Sequence, residues 1–295
     1  QRNAALKPPA FLPEDLARKR LLLTCEQGLG DELFFLRFLP QLKARGAWVA
    51  YCPDSRLVSM LGRVEGIDQI VASGEALDDI AYTFSTEYLP LLLGMDDASK
   101  IPPPVRLTAL AERREALGRK LSAFGPPPYI GVTWRAGTKD KNLPAQGNKV
   151  RAAMLRFYKE SPLKHLAESL RGLPGTVLIL QRHPQPGEVA TFAEALGRTA
   201  HDLSAANEDL EDMLALLDLL EDYVGVSNTN MHLRAGLGKT ARVLVPHPPE
   251  WRWMAEGEES PWFKGFAVYR QGMDRGWGEA FGRLRQDLLR AFPPA

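Results

Sequence analysis

Two helix-covered parallel β-sheets, an α/β protein, are what the sequence predicts, and three observations carry the expectation. Short apolar runs of strand length alternate with runs of helical period, which is the pattern of β-α-β crossovers. At 295 residues the chain is about twice a usual domain of roughly 150. The alternation breaks once, across residues 101–128, where Pro102 to Pro104 and Pro126 to Pro128 form two clusters. The expected domains are therefore 1–125, including that linker, and 126–295.

In the first domain, residues 21–25 make a compact apolar strand, and Gly28-Leu29-Gly30 makes a turn. Residues 31–44 form a helix with Phe35, Leu39 and Leu42 at helical spacing. Strand 47–52, short helix 56–63 and strand 68–71 follow. A charged helix, 110–122, lies between the proline clusters. The second domain starts again with strand 129–134, helix 163–171 and strand 177–180. Helix 209–220 places Leu210, Met213, Leu214 and Leu217 on one face, ahead of strand 223–226, helix 231–237 and strand 241–245. A final helix, 277–292, carries Phe281, Leu284 and Leu288 as its apolar stripe and is a candidate to return to the first domain.

The composition is 45% hydrophobic and 25% charged, that of a globular chain with enough apolar material for two cores. Lys and Arg number 37 against 36 Asp and Glu, so the chain lacks the strong positive field that nucleic acid generally demands. No nucleic-acid partner is expected. Cys25 and Cys52 are too few for a disulfide framework or a cysteine zinc site, which fits a reducing, cytoplasmic compartment. No apolar run approaches the roughly 20 residues of a membrane span, and no signal-peptide pattern opens the chain. A start at Gln1 without Met reads as a piece of something longer.

In doubly wound sheets, ligands bind where strand ends feed helix N-termini. Four such turns stand out. Glu26-Gln27-Gly28-Leu29-Gly30-Asp31 combines two glycines with a carboxylate at a helix mouth. Position 33 is Leu, so the dinucleotide fingerprint is absent, as is a P-loop. By spacing alone Asp31 reads first as a helix cap. The second turn, Thr133-Trp134-Arg135-Ala136-Gly137-Thr138, could bring backbone N–H groups to a phosphate or be a plain turn. Lys159 follows it, alone a surface lysine. The third holds Glu188 at a helix start, either a dipole partner or an acid accepting from two vicinal hydroxyls. The fourth, Ser227-Asn228-Thr229-Asn230 leading to Met231 and His232, opens a helix as an anion site. No second His lies at ligand spacing from His232, and no metal is expected.

Together these turns resemble the ADP-heptose:lipopolysaccharide heptosyltransferase-like glycosyltransferases, in the branch found behind tetratricopeptide repeats. The likeness runs from about Leu21 to Phe292. Its most specific pieces are the 26–31 turn, residues 227–239, and the C-terminal Pro249-Glu250-Trp251-Arg252-Trp253, Ser260-Pro261-Trp262-Phe263 and Tyr269-Arg270-Gln271. It implies a GT-B fold, two Rossmann-like domains facing across a cleft. The family's Gly-Asp general base falls on Asp31, with Glu26, Gln27, Gly28 and Gly30 on the acceptor side. Its diphosphate-binding lysine, in a Lys-x-x-Pro stretch, resembles Lys159 with Pro162, and its ribose glutamate resembles Glu188. In its Asp-Thr-x-x-x-His motif His232 keeps its place, whereas Ser227 and Asn228 depart. The donor side so implied comprises Thr133, Arg135, Gly137, Thr138, Lys159, Glu188, Ser227, Asn228, Thr229, Asn230 and His232.

The resemblance implies metal-independent, cofactor-free glycosyl transfer by inversion from a nucleotide sugar to a glycan or protein hydroxyl. One carboxylate takes the acceptor proton while cations and helix N-termini meet the charge of the leaving diphosphate. A non-catalytic sugar-nucleotide or glycan-binding module, suggested by Ser227-Asn228, and an epimerase of the same fold are the alternatives. Trp251, Trp253, Trp262 and Trp277 crowd the last fifth, for packing or for stacking on a sugar.

Overall fold

The computed structural model describes residues 8–136 and 159–294. The chain divides into two compact units, Gln1–Ala109 with His232–Lys239, and Leu110–Met231 with Thr240–Ala295.

The first unit is built on a parallel sheet of β1 (Arg20–Thr24), β2 (Trp48–Cys52), β3 (Gln69–Ile70) and β4 (Ile80–Ser85), in the order β3-β2-β1-β4. Leu21 and Leu23 alternate inward on β1, and Val49, Ala50 and Tyr51 are buried on β2. The helix expected across 31–44 is three pieces: Leu29–Phe35, a 3-10 turn Leu36–Phe38, and Leu39–Ala44. Pro40 explains the break, because it has no N–H to donate and its ring collides with the carbonyl four residues back. β4 was not expected, and it is an edge strand.

The second unit carries β5 (Tyr129–Val132), β6 (Thr176–Ile179), β7 (Ala200–Asp202), β8 (Asp222–Val226), β9 (Arg242–Val245) and β10 (Ala267–Arg270). All pairings are parallel, in the order β10-β9-β8-β5-β6-β7. The chain thus moves outward from β5 in one direction through β6 and β7, then returns to β8 on the other side. β5 and β8 flank the switch point, the place beyond the strand ends where doubly wound sheets generally bind ligands. β6 and β8 are buried along their whole length, as expected of strands covered on both faces.

Two elements group differently from the expectation. The helix Ala111–Ser122 joins the second unit, where Arg113 pairs with Asp212 at 2.6 Å and Arg114 with Asp218 at 2.7 Å, so the division falls at 109/110 rather than 125/126. The helix Gly278–Ala291 stays in the second unit, where Phe281, Leu284 and Leu288 share a core with Ile130, Leu166 and Phe192. The returning segment is His232–Lys239, anchored by the Leu107 N–H donating to the Gly236 carbonyl at 2.9 Å. No helix among the described residues is long and apolar enough to cross a membrane.

Candidate functional site

In the second unit the turn after β5 is shaped by Gln181, a fully buried side chain at the end of β6. Its amide oxygen accepts from the Trp134 and Arg135 N–H groups at 3.0 and 2.9 Å, and its amide nitrogen donates back to the Arg135 carbonyl at 3.1 Å. The segment then runs beside 159–161, where the Ala136 N–H meets the Lys159 carbonyl at 2.9 Å and the Ser161 N–H meets the Trp134 carbonyl at 2.8 Å. This pairing fixes Lys159 next to the switch point. Gly137 and Thr138 lie outside the described residues.

Across the switch point Asn228 ties β5 to β8. Its amide nitrogen donates to the Thr133 hydroxyl at 2.9 Å and to the Tyr223 hydroxyl at 3.0 Å, while its carbonyl accepts the Asn230 N–H at 3.0 Å. That last bond caps the helix Thr229–Gly236, a role that suits a short polar side chain. Gly225 makes the arrangement possible, since a Cβ there would stand 2.2 Å from the Thr133 hydroxyl. Thr229 is half-buried and Asn230 buried at the helix mouth.

Two partly buried ion networks border this turn. Arg135 reaches Glu188 with both terminal nitrogens, at 2.6 and 3.0 Å, and the Gln185 N–H donates to the same carboxylate at 2.8 Å. Burial opposes both charges, but the pairing overcomes it, holding Glu188 below and Arg135 above their ordinary values. Glu188 and Gly187 also line an open hollow of about 560 Å³ with Leu163, His165, Pro186 and Thr191. The second network centres on Glu250, absent from the expected site residues. It takes Lys159 at 3.0 Å, the Ser227 hydroxyl at 3.0 Å, and Arg252. Burial alone would raise this carboxyl, yet Lys159 and Arg252 outweigh it and hold it at about 2. The Arg252 guanidinium lies 4.5 Å from the Trp251 ring centre, and Trp262 meets Trp251 edge-on. Trp253 and Trp277 are buried, Trp253 stacked on Phe263, whereas Trp251 is 51% exposed.

In the first unit, Glu26, Gln27 and Gly28 are exposed between β1 and the helix Leu29–Phe35. Asp31 sits half-buried in the first turn of that helix, its carboxylate 3.8 Å from where a Gly28 Cβ would stand. Gly30 touches His232 so closely that a Cβ would lie 2.9 Å from the imidazole. His232 also meets Phe34 edge-on, with ring centres 5.9 Å apart. His232 is therefore grouped with the Asp31 turn, although the sequence motif placed it with the donor-side residues.

Glu32, next to Asp31, is 3% exposed and accepts the Asp54 N–H at 3.1 Å. Burial pushes its carboxyl up to about 7. Glu87, in the 3-10 turn Thr86–Tyr88 that follows β4, accepts the Glu26 N–H at 3.2 Å and the Cys25 thiol at 3.6 Å. Burial, with Glu32 and Glu87 nearby, raises Cys25 to about 12, and burial raises Cys52 too. Neither thiol supplies a thiolate at neutral pH. The sequence pointed to none of Gln181, Glu32, Glu87 or Glu250 as a site residue; a polar residue directly after an apolar strand was the available signal for Gln181.

No family model matches the chain. It is 27% identical over 302 aligned positions to Protein FlbA of Caulobacter vibrioides, covering 93% of this chain and 47% of that protein, so it spans about half the length of that relative. Among solved structures, the glycosyl transferase family 9 protein from Veillonella parvula superposes with a TM-score of 0.63 at 11% identity, over 94% of this chain and 97% of that one. The ADP-heptose lps heptosyltransferase II of E. coli gives 0.62 at 14% identity, over 92% and 98%. With two parallel sheets in the observed orders, the chain has the GT-B fold of the heptosyltransferases.

Proposed function

We propose that the chain is a metal-independent, inverting glycosyltransferase that moves a sugar from a nucleoside-diphosphate donor to a hydroxyl of a glycan or protein. The observation that carries this reading is the convergence of Lys159, Arg252, Ser227 and the helix mouth at 229–230 beside the switch point of a six-stranded parallel sheet. Cations and backbone N–H groups in a partly buried crevice suit a diphosphate, whose charge grows as the glycosidic bond breaks. These cations can meet that charge with no metal in the step.

In this reading the diphosphate lies on Lys159 and the Thr229–Asn230 end of the helix, with Thr133 beside it. Glu188 faces the ribose. Its Oε2 already accepts from Arg135 and from the Gln185 N–H, so a ribose hydroxyl would donate to Oε1, which takes one bond from Arg135. Asp31 takes the proton of the acceptor hydroxyl as that oxygen attacks the anomeric carbon, and the nucleoside diphosphate leaves from the opposite face. Glu26, Gln27 and Gly28, exposed ahead of Asp31, contact the acceptor. His232 against Gly30 fixes the backbone that presents Asp31. The link to tetratricopeptide repeats belongs to the same proposal and rests on the motif likeness.

Incubation with a panel of nucleoside-diphosphate sugars, ADP-heptose first, tests this reading. Nucleotide release that accelerates when a glycan or protein acceptor is added is the expected result. Binding without turnover would make the chain a binding module, a changed sugar without acceptor an epimerase, and no binding would overturn the donor assignment.

A further inference from the structure

The Glu250 carboxylate occupies the position on Lys159 that the donor reading gives to phosphate. Three donors from separate segments converge on it: Lys159 from the strand-like run beside β5, Ser227 from the end of β8, and Arg252 from the 3-10 turn Trp251–Trp253. The first two share one oxygen, Oε2, each at 3.0 Å, and Arg252 takes the other. The side chain is mostly buried, 19% exposed, so it is not a loosely solvated surface acid. Its backbone is held as well, since the Trp253 N–H donates to the Glu250 carbonyl at 2.9 Å.

We propose that Glu250 is a specificity-determining residue of the donor pocket, a carboxylate that holds the phosphate place on Lys159 and that only a ligand with two linked phosphates displaces readily. The inference rests on the donor reading above. Carboxylate and phosphate oxygens are equivalent partners for an ammonium and a guanidinium, so they compete for the same donors. While Glu250 stays in place, an incoming phosphate meets a negative charge within contact range and finds Lys159 already taken. One phosphate gains little by entering. Two linked phosphates bring more charge and more acceptor oxygens, enough to separate Lys159 from Glu250 while Ser227 and Arg252 retain the released carboxylate. The pocket then discriminates diphosphate from monophosphate by competition. Because the paired carboxyl titrates near 2, it stays ionised over the range of a binding assay, and pH does not relieve the competition.

Glu250→Gln tests this directly, since the amide keeps the size and an acceptor for Ser227 while losing the charge. Calorimetric titrations use inorganic pyrophosphate, ADP, GDP and UDP as diphosphate probes, with the matching monophosphates and nucleosides alongside. E250Q is expected to bind the diphosphates about fivefold to tenfold more tightly than the native protein, to bind monophosphates more tightly by a larger factor, and to bind nucleosides unchanged. In a Lys159→Ala background the same substitution should change diphosphate affinity by less than about twofold. If E250Q does not fold, Glu250→Asp, which keeps the charge and shortens its reach, should shift the affinities in the same direction by less. Native protein that binds diphosphates while folded E250Q or E250D binds them no more tightly overturns this inference and leaves the donor reading standing. Failure of both native protein and variants to bind any probe overturns the donor reading and this inference with it.

Discussion

At the switch between β1 and β4 the first unit gathers acids, whereas the second unit, between β5 and β8, gathers cations together with the acids that hold them. Glu32 and Glu87 lie around the first turn, and the cation that reaches Glu32, Arg56, is bound to Asp54 by two bonds of 2.9 Å. Glu32 is consequently raised to about 7. In the second unit Glu250 is also buried, but Lys159 and Arg252 invert the outcome and hold it at about 2. The same parallel topology thus carries a carboxyl raised by burial in one unit and a carboxylate held down by cations in the other. Burial raises every carboxyl; the neighbouring cation decides the net sign.

That contrast can be broken most severely at Asp31. Asp31→Asn keeps the size and the hydrogen-bond acceptor, so melting temperature and donor affinity should stay near native, while transfer falls by about a hundredfold or more if the carboxylate takes the acceptor's proton. Turnover close to native would return Asp31 to a helix-start residue and leave the first edge without its assigned base.

Glu32 tests the same edge through stability. Its folded pKa lies above the ordinary carboxylate value of 4.5, so the folded state keeps a proton that the unfolded state releases. That contribution is fully present below pH 4.5 and is lost as pH rises through about 7. Native protein should therefore lose on the order of 2 kcal/mol between pH 5 and pH 8 from this group, and Glu32→Gln should remove that slope. Denaturant melts at both pH values measure it, and an unchanged slope in the variant would show that Glu32 is not the titrating group.

Lys159 sharpens the other side. Lys159→Ala should weaken nucleoside-diphosphate binding about tenfold while leaving nucleoside binding nearly unchanged, because the lost partner is a charge on phosphate. Equal losses for the two ligands would separate Lys159 from the phosphates and remove the cationic character assigned to the second edge.

Central strands were legible from sequence because they are apolar on both faces: 129–134 corresponds to Tyr129–Val132, and 223–226 to Asp222–Val226. The strands that went unread, Ile80–Ser85, Ala200–Asp202 and Ala267–Arg270, are all sheet edges. An edge strand pairs on one side and tolerates polar residues such as His201 and Thr83, which weakens its apolar signal. Helix periodicity likewise predicted one helix across Pro40, whose ring in fact divides it.

By itself the sequence determined the α/β class, the two sheets and the turns that carry Asp31, Lys159, Glu188 and Ser227 to Asn230, because strand length, helical period and glycine or small polar punctuation are local properties. Tertiary structure alone decided that Glu250 closes on Lys159, Ser227 and Arg252, that Arg135 occupies Glu188, that Gln181 holds the turn after β5, and that His232 lies on Gly30. Apart from Arg252, two residues from Glu250, each of these partners is separated by more than twenty residues. Strand order is what brings them together, and that order follows from how the crossovers pack over the sheet rather than from any local pattern in the chain.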